Sequence, residues 1–170
     1  MRDTEKAEFD DFVRTRSKAL LRAAYLLTGN RHIAEDLLQE VLEQMCVRWT
    51  RINGAPEAYA RKALVNRSTN RWRRLIRRPE APLGDRDPGR PDHSDGVVVR
   101  DAVVLALREL PPRQRAAVVL RYLDDLSITE AAAALGCSEG TVKSNAARGL
   151  DRLRVTLDTE VAAASITEDR

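Results

Sequence analysis

The sequence predicts an all-α protein of two small helical domains joined by a flexible linker. Three observations carry this prediction. Alanine, leucine, arginine and glutamate dominate the chain, and all four favour helix. Apolar residues recur at three- and four-residue intervals, with no period-two alternation of β-branched residues. The stretch RRPEAPLGDRDPGRPDHSDG at 77–96 repeats proline, glycine and aspartate, with Leu83 as its only large apolar residue, so it can neither bury a core nor hold a helix. The expected boundaries are a first domain at 1–76, the linker at 77–96, a second domain at 97–160 and a tail at 161–170.

In the first half, Phe9, Phe12, Val13, Leu20, Leu21, Ala24 and Tyr25 follow helical spacing, and Thr28-Gly29-Asn30 stops that helix. A second helix spans about 31–49, with Ile33, Leu37, Leu38, Val41, Leu42, Met45 and Trp49 as its apolar stripe. Asn53-Gly54 breaks the chain, and Pro56 suits the first turn of a third helix reaching about Ile76. In the second half, Val99, Val103, Leu107 and Leu110 mark a helix ended by Pro111-Pro112. Further helices are expected at about Pro112–Leu123, Ser127–Leu135 and Glu139–Leu157.

The run SITEAAAALGCSEGTVKSNAARGLDRLR at 127–154 has helix-turn-helix form. Ser127 and Glu130 stand at capping-box spacing, Gly136 is placed for a left-handed stop, and Ser138 caps the next helix after a tight turn. Val142, Ala146, Leu150 and Leu153 form the inward stripe of that second helix. At 100° per residue, Lys143, Ser144, Ala147 and Arg148 fall on the opposite face. Small and basic residues near a helix start suit entry into a DNA major groove. Gly149 costs about 1 kcal/mol against alanine in a helix interior, and the pattern leaves it unexplained unless a neighbour packs close.

Charge separates the second and third helices. From Arg61 to Arg78 there are eight basic residues (Arg61, Lys62, Arg67, Arg71, Arg73, Arg74, Arg77 and Arg78) and no acidic one. Unneutralised charge of that density predicts a polyanion partner. Trp72 within it either packs in the core or stacks on bases. Glu35, Asp36, Gln39, Glu40 and Glu43 crowd the second helix instead, a face that is either solvated or turned to a protein partner.

Several functions are excluded. Charges throughout the first twenty residues leave no apolar signal-peptide core, and no run of about 18 uncharged apolar residues exists to insert in a membrane. The expected location is cytoplasmic. Cys46, Cys137, His32 and His93 show no ligand spacing, so no metal or cofactor is expected, and both cysteines read as small buried thiols. No nucleophile–base set or phosphate-binding glycine loop suggests an enzyme.

IAEDLLQEVLEQMCVRW (33–49), PEAYARKALVNRSTNRWRR (56–74) and LRELPPRQRAAVVLRYLDDLSITEAAAALGCSEGTVKSNAARGLDRLR (107–154) resemble, in order, two helices of region 2 and all of region 4 of extracytoplasmic-function (ECF) sigma factors of the sigma-70 family. The wording around GTVKSNAARGL is most similar to an actinobacterial, sigma-E-like subgroup. The resemblance implies an alternative sigma factor that directs core RNA polymerase to promoter DNA and assists promoter opening. It implies that Glu35, Asp36, Leu37, Gln39 and Glu40 dock on the polymerase. Asn66, with the loop around Ile52 to Glu57, would read an unpaired −10 base, with Trp72 beside the bases and Arg61, Lys62, Arg71, Arg73 and Arg74 on the backbone. Thr141, Lys143, Ser144, Ala147 and Arg148 would face the −35 element, and an anti-sigma factor would silence the free protein.

Leu42 stands where many members have phenylalanine. Asn145 and Ala147 replace bulkier or basic residues, which bears on −35 preference. No fused anti-sigma or extra C-terminal domain is expected. The competing readings are a helix-turn-helix regulator binding duplex operator DNA without polymerase, and a protein-binding adapter whose basic helix meets an acidic partner.

Overall fold

A computed structural model describes residues 2–52, 54–77 and 101–168, and among these every regular element is helical. The helices are α1 (Asp3–Thr28), α2 (Arg31–Arg48), α3 (Pro56–Arg77), α4 (Asp101–Glu109), α5 (Pro112–Val118), α6 (Ile128–Leu135) and α7 (Glu139–Glu168), with a 3-10 turn at Trp49–Arg51.

Local chemistry sets the first boundaries. Gly29 takes a left-handed φ of 67° and returns its N–H to the Tyr25 carbonyl at 2.7 Å, ending α1. One residue later the Asn30 side chain accepts the Ile33 N–H at 3.1 Å, starting α2. The chain therefore reverses within two residues, and α1 and α2 pack as an antiparallel pair with α3 laid against both. Leu20, Ala24, Val41, Met45 and Leu64 fill the space between them, all essentially inaccessible to water. Phe9 and Phe12 close the far end against Trp49, with ring centroids 5.1 and 5.5 Å away.

In the C-terminal half, α4, α5 and α6 surround α7, burying Leu107, Val119, Leu120 and Val142. Gly149 is explained here. A β-carbon on it would lie 2.6 Å from Val118 Cγ2 and 3.2 Å from the Gln114 carbonyl oxygen, so only glycine lets α5 approach α7 this closely.

The two halves share one apolar core. α1 meets α4 and α5, and α3 meets α5 and α6. Arg115 pins the junction, itself only 8% exposed. It donates to the Leu27 carbonyl at 2.7 Å, at the end of α1, and to the Arg108 and Leu110 carbonyls at 2.9 and 3.1 Å. Burial, and then the charge of Arg108, pull its pKa down to about 10, so it stays a cation at neutral pH.

Four expectations need correction. The helix expected at Pro112–Leu123 changes form at Val119, where five residues to Leu123 widen into a π turn and Asp124 N–H reaches the Val119 carbonyl. The last helix does not stop near Leu157 but runs to Glu168, through the expected tail, because no glycine or proline interrupts it and Ala162–Ala164 favour helix. Cys46 is exposed and Cys137 half-buried, so neither is a fully buried thiol. Cys46 lies one residue off the stripe through Leu42, Met45 and Trp49. Finally, Arg77 belongs to α3 rather than to the linker, and the linker at 78–96 and Val99 lie outside the described residues.

Candidate nucleic-acid and protein interfaces

The helix-turn-helix is built by short-range hydrogen bonds. Ser127 Oγ accepts the Glu130 N–H at 3.2 Å while the Glu130 carboxylate accepts the Ser127 N–H at 2.8 Å. Those bonds hold the Glu130 carboxyl below its ordinary range. Gly136 ends α6 with φ 63°, and Ser138 Oγ accepts the Thr141 N–H at 3.1 Å to begin α7. Thr129 donates to the Glu139 carboxylate at 2.7 Å, tying the two helices together. On α7, Val142, Ala146 and Leu153 are buried and Leu150 is half-buried, while Lys143, Ser144, Ala147 and Arg148 are all exposed. Thr141 is half-buried at the helix start.

On α3, Lys62, Asn66, Arg73 and Arg74 are exposed and Arg71 is half-buried. Trp72 is 38% exposed, so it is not a core residue. The charge is less bare than the sequence suggests. Arg61 keeps only 14% of its side chain exposed, donating from Nε to Asp124 at 2.7 Å and from a terminal nitrogen to Glu57 at 2.5 Å. Arg67 pairs with Glu40 and donates to the Gln44 amide oxygen at 2.8 Å. Of these three acidic partners, Asp124 and Glu40 come from other helices or loops and were invisible to local charge counting.

On α2, Asp36, Gln39 and Glu40 are exposed. Glu35 is half-buried and pairs with Arg31 at 2.9 Å. Leu37 is a core residue, 5% exposed, which reaches the surface only as the floor of a groove. That groove, of about 640 Å³, runs between α2 and α3 and brings Glu40 together with Lys62, Asn66, Arg71 and Arg74. The loop expected to work with Asn66 does not line this groove. Ile52, Gly54 and Pro56 line a separate groove of about 550 Å³ with Arg2, Glu5, Glu8 and Trp49, a set the sequence did not single out. Asn66 stands ten residues beyond Pro56, roughly 15 Å along the helix.

A capped helix-turn-helix on the same chain as a bundle with one acidic and one basic helix defines a two-part, DNA-binding helical protein. Comparison with known proteins narrows that class. The sigma-70 region 2 family matches residues 12–78, and the sigma-70 region 4 family matches residues 100–153. The chain is 40% identical over 162 residues to the RNA polymerase sigma-E factor of Streptomyces coelicolor, covering 90% of this chain and 88% of that one. It is 35% identical over 151 residues to the ECF RNA polymerase sigma factor SigM of Mycobacterium tuberculosis, covering 88% and 76%. Among solved structures it resembles the sigma factor RpoE of Bartonella quintana, determined in complex with the anti-sigma factor NepR. That match has 26% identity and a TM-score of 0.70, over 89% of this chain and 97% of that one. The chain belongs to the ECF sigma factors of the sigma-70 family.

Proposed function

We propose that three surfaces of this chain divide the work of a sigma subunit. The exposed acidic face of α2, centred on Asp36, Gln39 and Glu40, docks core RNA polymerase, with Leu37 holding its floor and Glu35 its edge. The basic face of α3 holds the opened −10 strand, with Asn66 and Trp72 against bases and Lys62, Arg71, Arg73 and Arg74 on phosphates, joined by Arg61 once its carboxylates release it. The start of α7 reads the −35 duplex through Thr141, Lys143, Ser144, Ala147 and Arg148. The chain has no reaction to catalyse, since binding to separated strands shifts the opening equilibrium by differential affinity alone. It acts in the cytoplasm, where promoter DNA and polymerase are. An anti-sigma factor is a natural partner of the free chain, in keeping with the Bartonella protein's structure in complex with the anti-sigma factor NepR. No helix among the described residues is long and apolar enough to cross a membrane.

The observation that carries this reading is the coexistence, on one chain, of an exposed basic recognition face on a capped helix-turn-helix and an acidic helix beside a second basic one. The test is promoter-dependent transcription with core polymerase. Wild-type protein is expected to give specific transcripts, Asp36→Arg to lose them by failing to bind core, and Arg148→Glu to lose them while still binding core. If the chain forms no complex with core but still binds duplex DNA, it is a regulator of the operator-binding kind.

A further inference from the structure

We propose that Tyr122 is a further specificity residue of the duplex-reading surface, its ring packing on the C5 methyl group of a thymine at the edge of the −35 element. The proposal deepens the reading of α7 as the helix that enters the −35 duplex, and rests on it.

The first observation is where the exposed aromatic rings stand. Of the aromatic side chains among the described residues, Trp72 and Tyr122 are exposed and the others half-buried. Trp72, at 38%, lies on the strand-binding helix α3, whereas Tyr122, at 50%, belongs to none of the three surfaces of the sigma subunit. Within the π turn, Val119 and Leu120 are buried and Leu123 packs on the core, so Tyr122 is the apolar residue that this turn leaves in water. Such turns widen a helix and recur at functional sites. Arg121 steadies the ring: its guanidinium lies 5.9 Å from the ring centroid and also donates to the Leu126 carbonyl across the loop. A ring already held on one side loses less freedom when it meets a partner.

The second observation is what the ring borders. A groove of about 370 Å³ separates Tyr122 from α7. Its floor is apolar, through Ile128 and Leu150, and its rim carries Arg121, Lys143 and Arg154 against one carboxylate, Asp151. An apolar floor under a cationic rim suits the wall of a DNA groove, where methyl groups and sugars lie inside the line of phosphates. Lys143 and Ala147 belong both to this groove and to the reading face of α7, so the two surfaces are continuous. Ser144 and Ala147 put only a hydroxymethyl and a methyl group on that face, which lets α7 lie close to the base pairs. A helix with its side chains is about 10–12 Å across and the major groove about 12 Å wide, so the flank of α7 meets the wall as its face meets the floor. Tyr122 stands at that flank, and the small Ala147 leaves its ring a way to the base edges. The thymine methyl is the apolar group that the major groove presents, and apolar side chains are its partners.

The test uses the full chain assembled with core polymerase. The complex is given a pool of promoter duplexes randomised over the −35 element, and the bound duplexes are sequenced. Wild type is expected to prefer thymine at one edge position, Tyr122→Ala to lose that preference while keeping the others, and Tyr122→Phe to retain it. Replacing that thymidine by deoxyuridine in the preferred duplex removes only the methyl group. The change is expected to weaken wild-type binding about fourfold, the effect of one buried methyl group, and to leave Tyr122→Ala binding unchanged. A merely structural role would lower binding to every duplex alike, together with the melting temperature, and would not move the base preference. The proposal is overturned if wild type shows no thymine preference, if Tyr122→Ala keeps the wild-type profile, or if deoxyuridine weakens both proteins equally. A uniform loss in Tyr122→Ala with weaker binding to core also overturns it, and turns this surface toward the polymerase instead. Arg148→Glu, run alongside, is expected to lose preference throughout the element. If Arg148→Glu keeps its preference, the reading of α7 itself fails, a result distinct from failure at Tyr122 alone.

Discussion

A methyl group on Gly149 would sit 2.6 Å from Val118 Cγ2, inside any tolerable contact. Replacing glycine by alanine in a helix normally gains about 1 kcal/mol, while forcing an extra carbon into a packed core costs about 1–3 kcal/mol. The clash is the larger effect, so Gly149→Ala is expected to destabilise the protein in urea unfolding. Val118→Ala removes the offending methyl, and the double variant should be more stable than the two single changes predict by addition. Arg115 tests the opposite situation, a side chain that cannot be removed. Its three carbonyl acceptors at the ends of α1 and α4 would lose their donor in Arg115→Ala. A loss of about 3 kcal/mol is expected in the same assay, because buried acceptors left unpaired retain their desolvation cost. Neither residue's role was readable in advance. Gly149 advertised only an anomaly, and Arg115 precedes an apolar run with nothing to mark it as buried.

The helix-turn-helix was legible as an element because its determinants are local. Ser127, Glu130, Gly136 and Ser138 each act within five residues, so spacing alone placed both helices and the exposed face of α7. Ser127→Ala is expected to cost about 1 kcal/mol, the usual loss of an N-cap. The cap should also respond to acid. Hydrogen bonds from Ser127 lower the Glu130 carboxyl below its ordinary 4.5, so the stabilisation is fully present above that value. It is lost as pH falls from there through the depressed folded-state value. Thermal melting from neutral pH to pH 3 should therefore show a steeper acid decline in wild type than in Glu130→Gln. Elements whose ends depend on tertiary contacts were less legible. The π turn answers to packing against α5, α1 and α6, and the continuation of α7 follows from the lack of any stop signal, which local reading had no reason to weigh. Cys46 was misplaced for a different reason: its residue type argued for burial against a spacing that already put it off the stripe.

At the scale of the molecule, the sequence separated two halves and assigned each its surfaces, but it carried no sign of their mutual packing. Asp124 and Arg61 meet only because the chain closes on itself, and no periodicity or local charge count links residues 63 positions apart. The basic helix must also be understood differently, since Arg61 and Arg67 are already balanced, by Asp124 across the closure and by Glu57 and Glu40 within the first half. That balance explains why a net charge of +3, spread over so many ions of both signs, says little about either surface.

Those balanced arginines have a thermodynamic consequence for ionic strength. When an arginine leaves a carboxylate for a phosphate, cations released from the nucleic acid are partly taken up by the carboxylate left behind. The five basic residues placed on phosphates, Arg61, Lys62, Arg71, Arg73 and Arg74, would give a slope of log affinity against log salt of roughly −3.5 on a single strand if Arg61 were unpaired at rest, whereas four give roughly −2.8. A titration over a salt series should return the shallower value for wild type and a steeper one for an Asp124→Asn variant. By spending part of its positive charge on its own acids at rest, the protein makes its grip on opened DNA less sensitive to changes in cellular ion content.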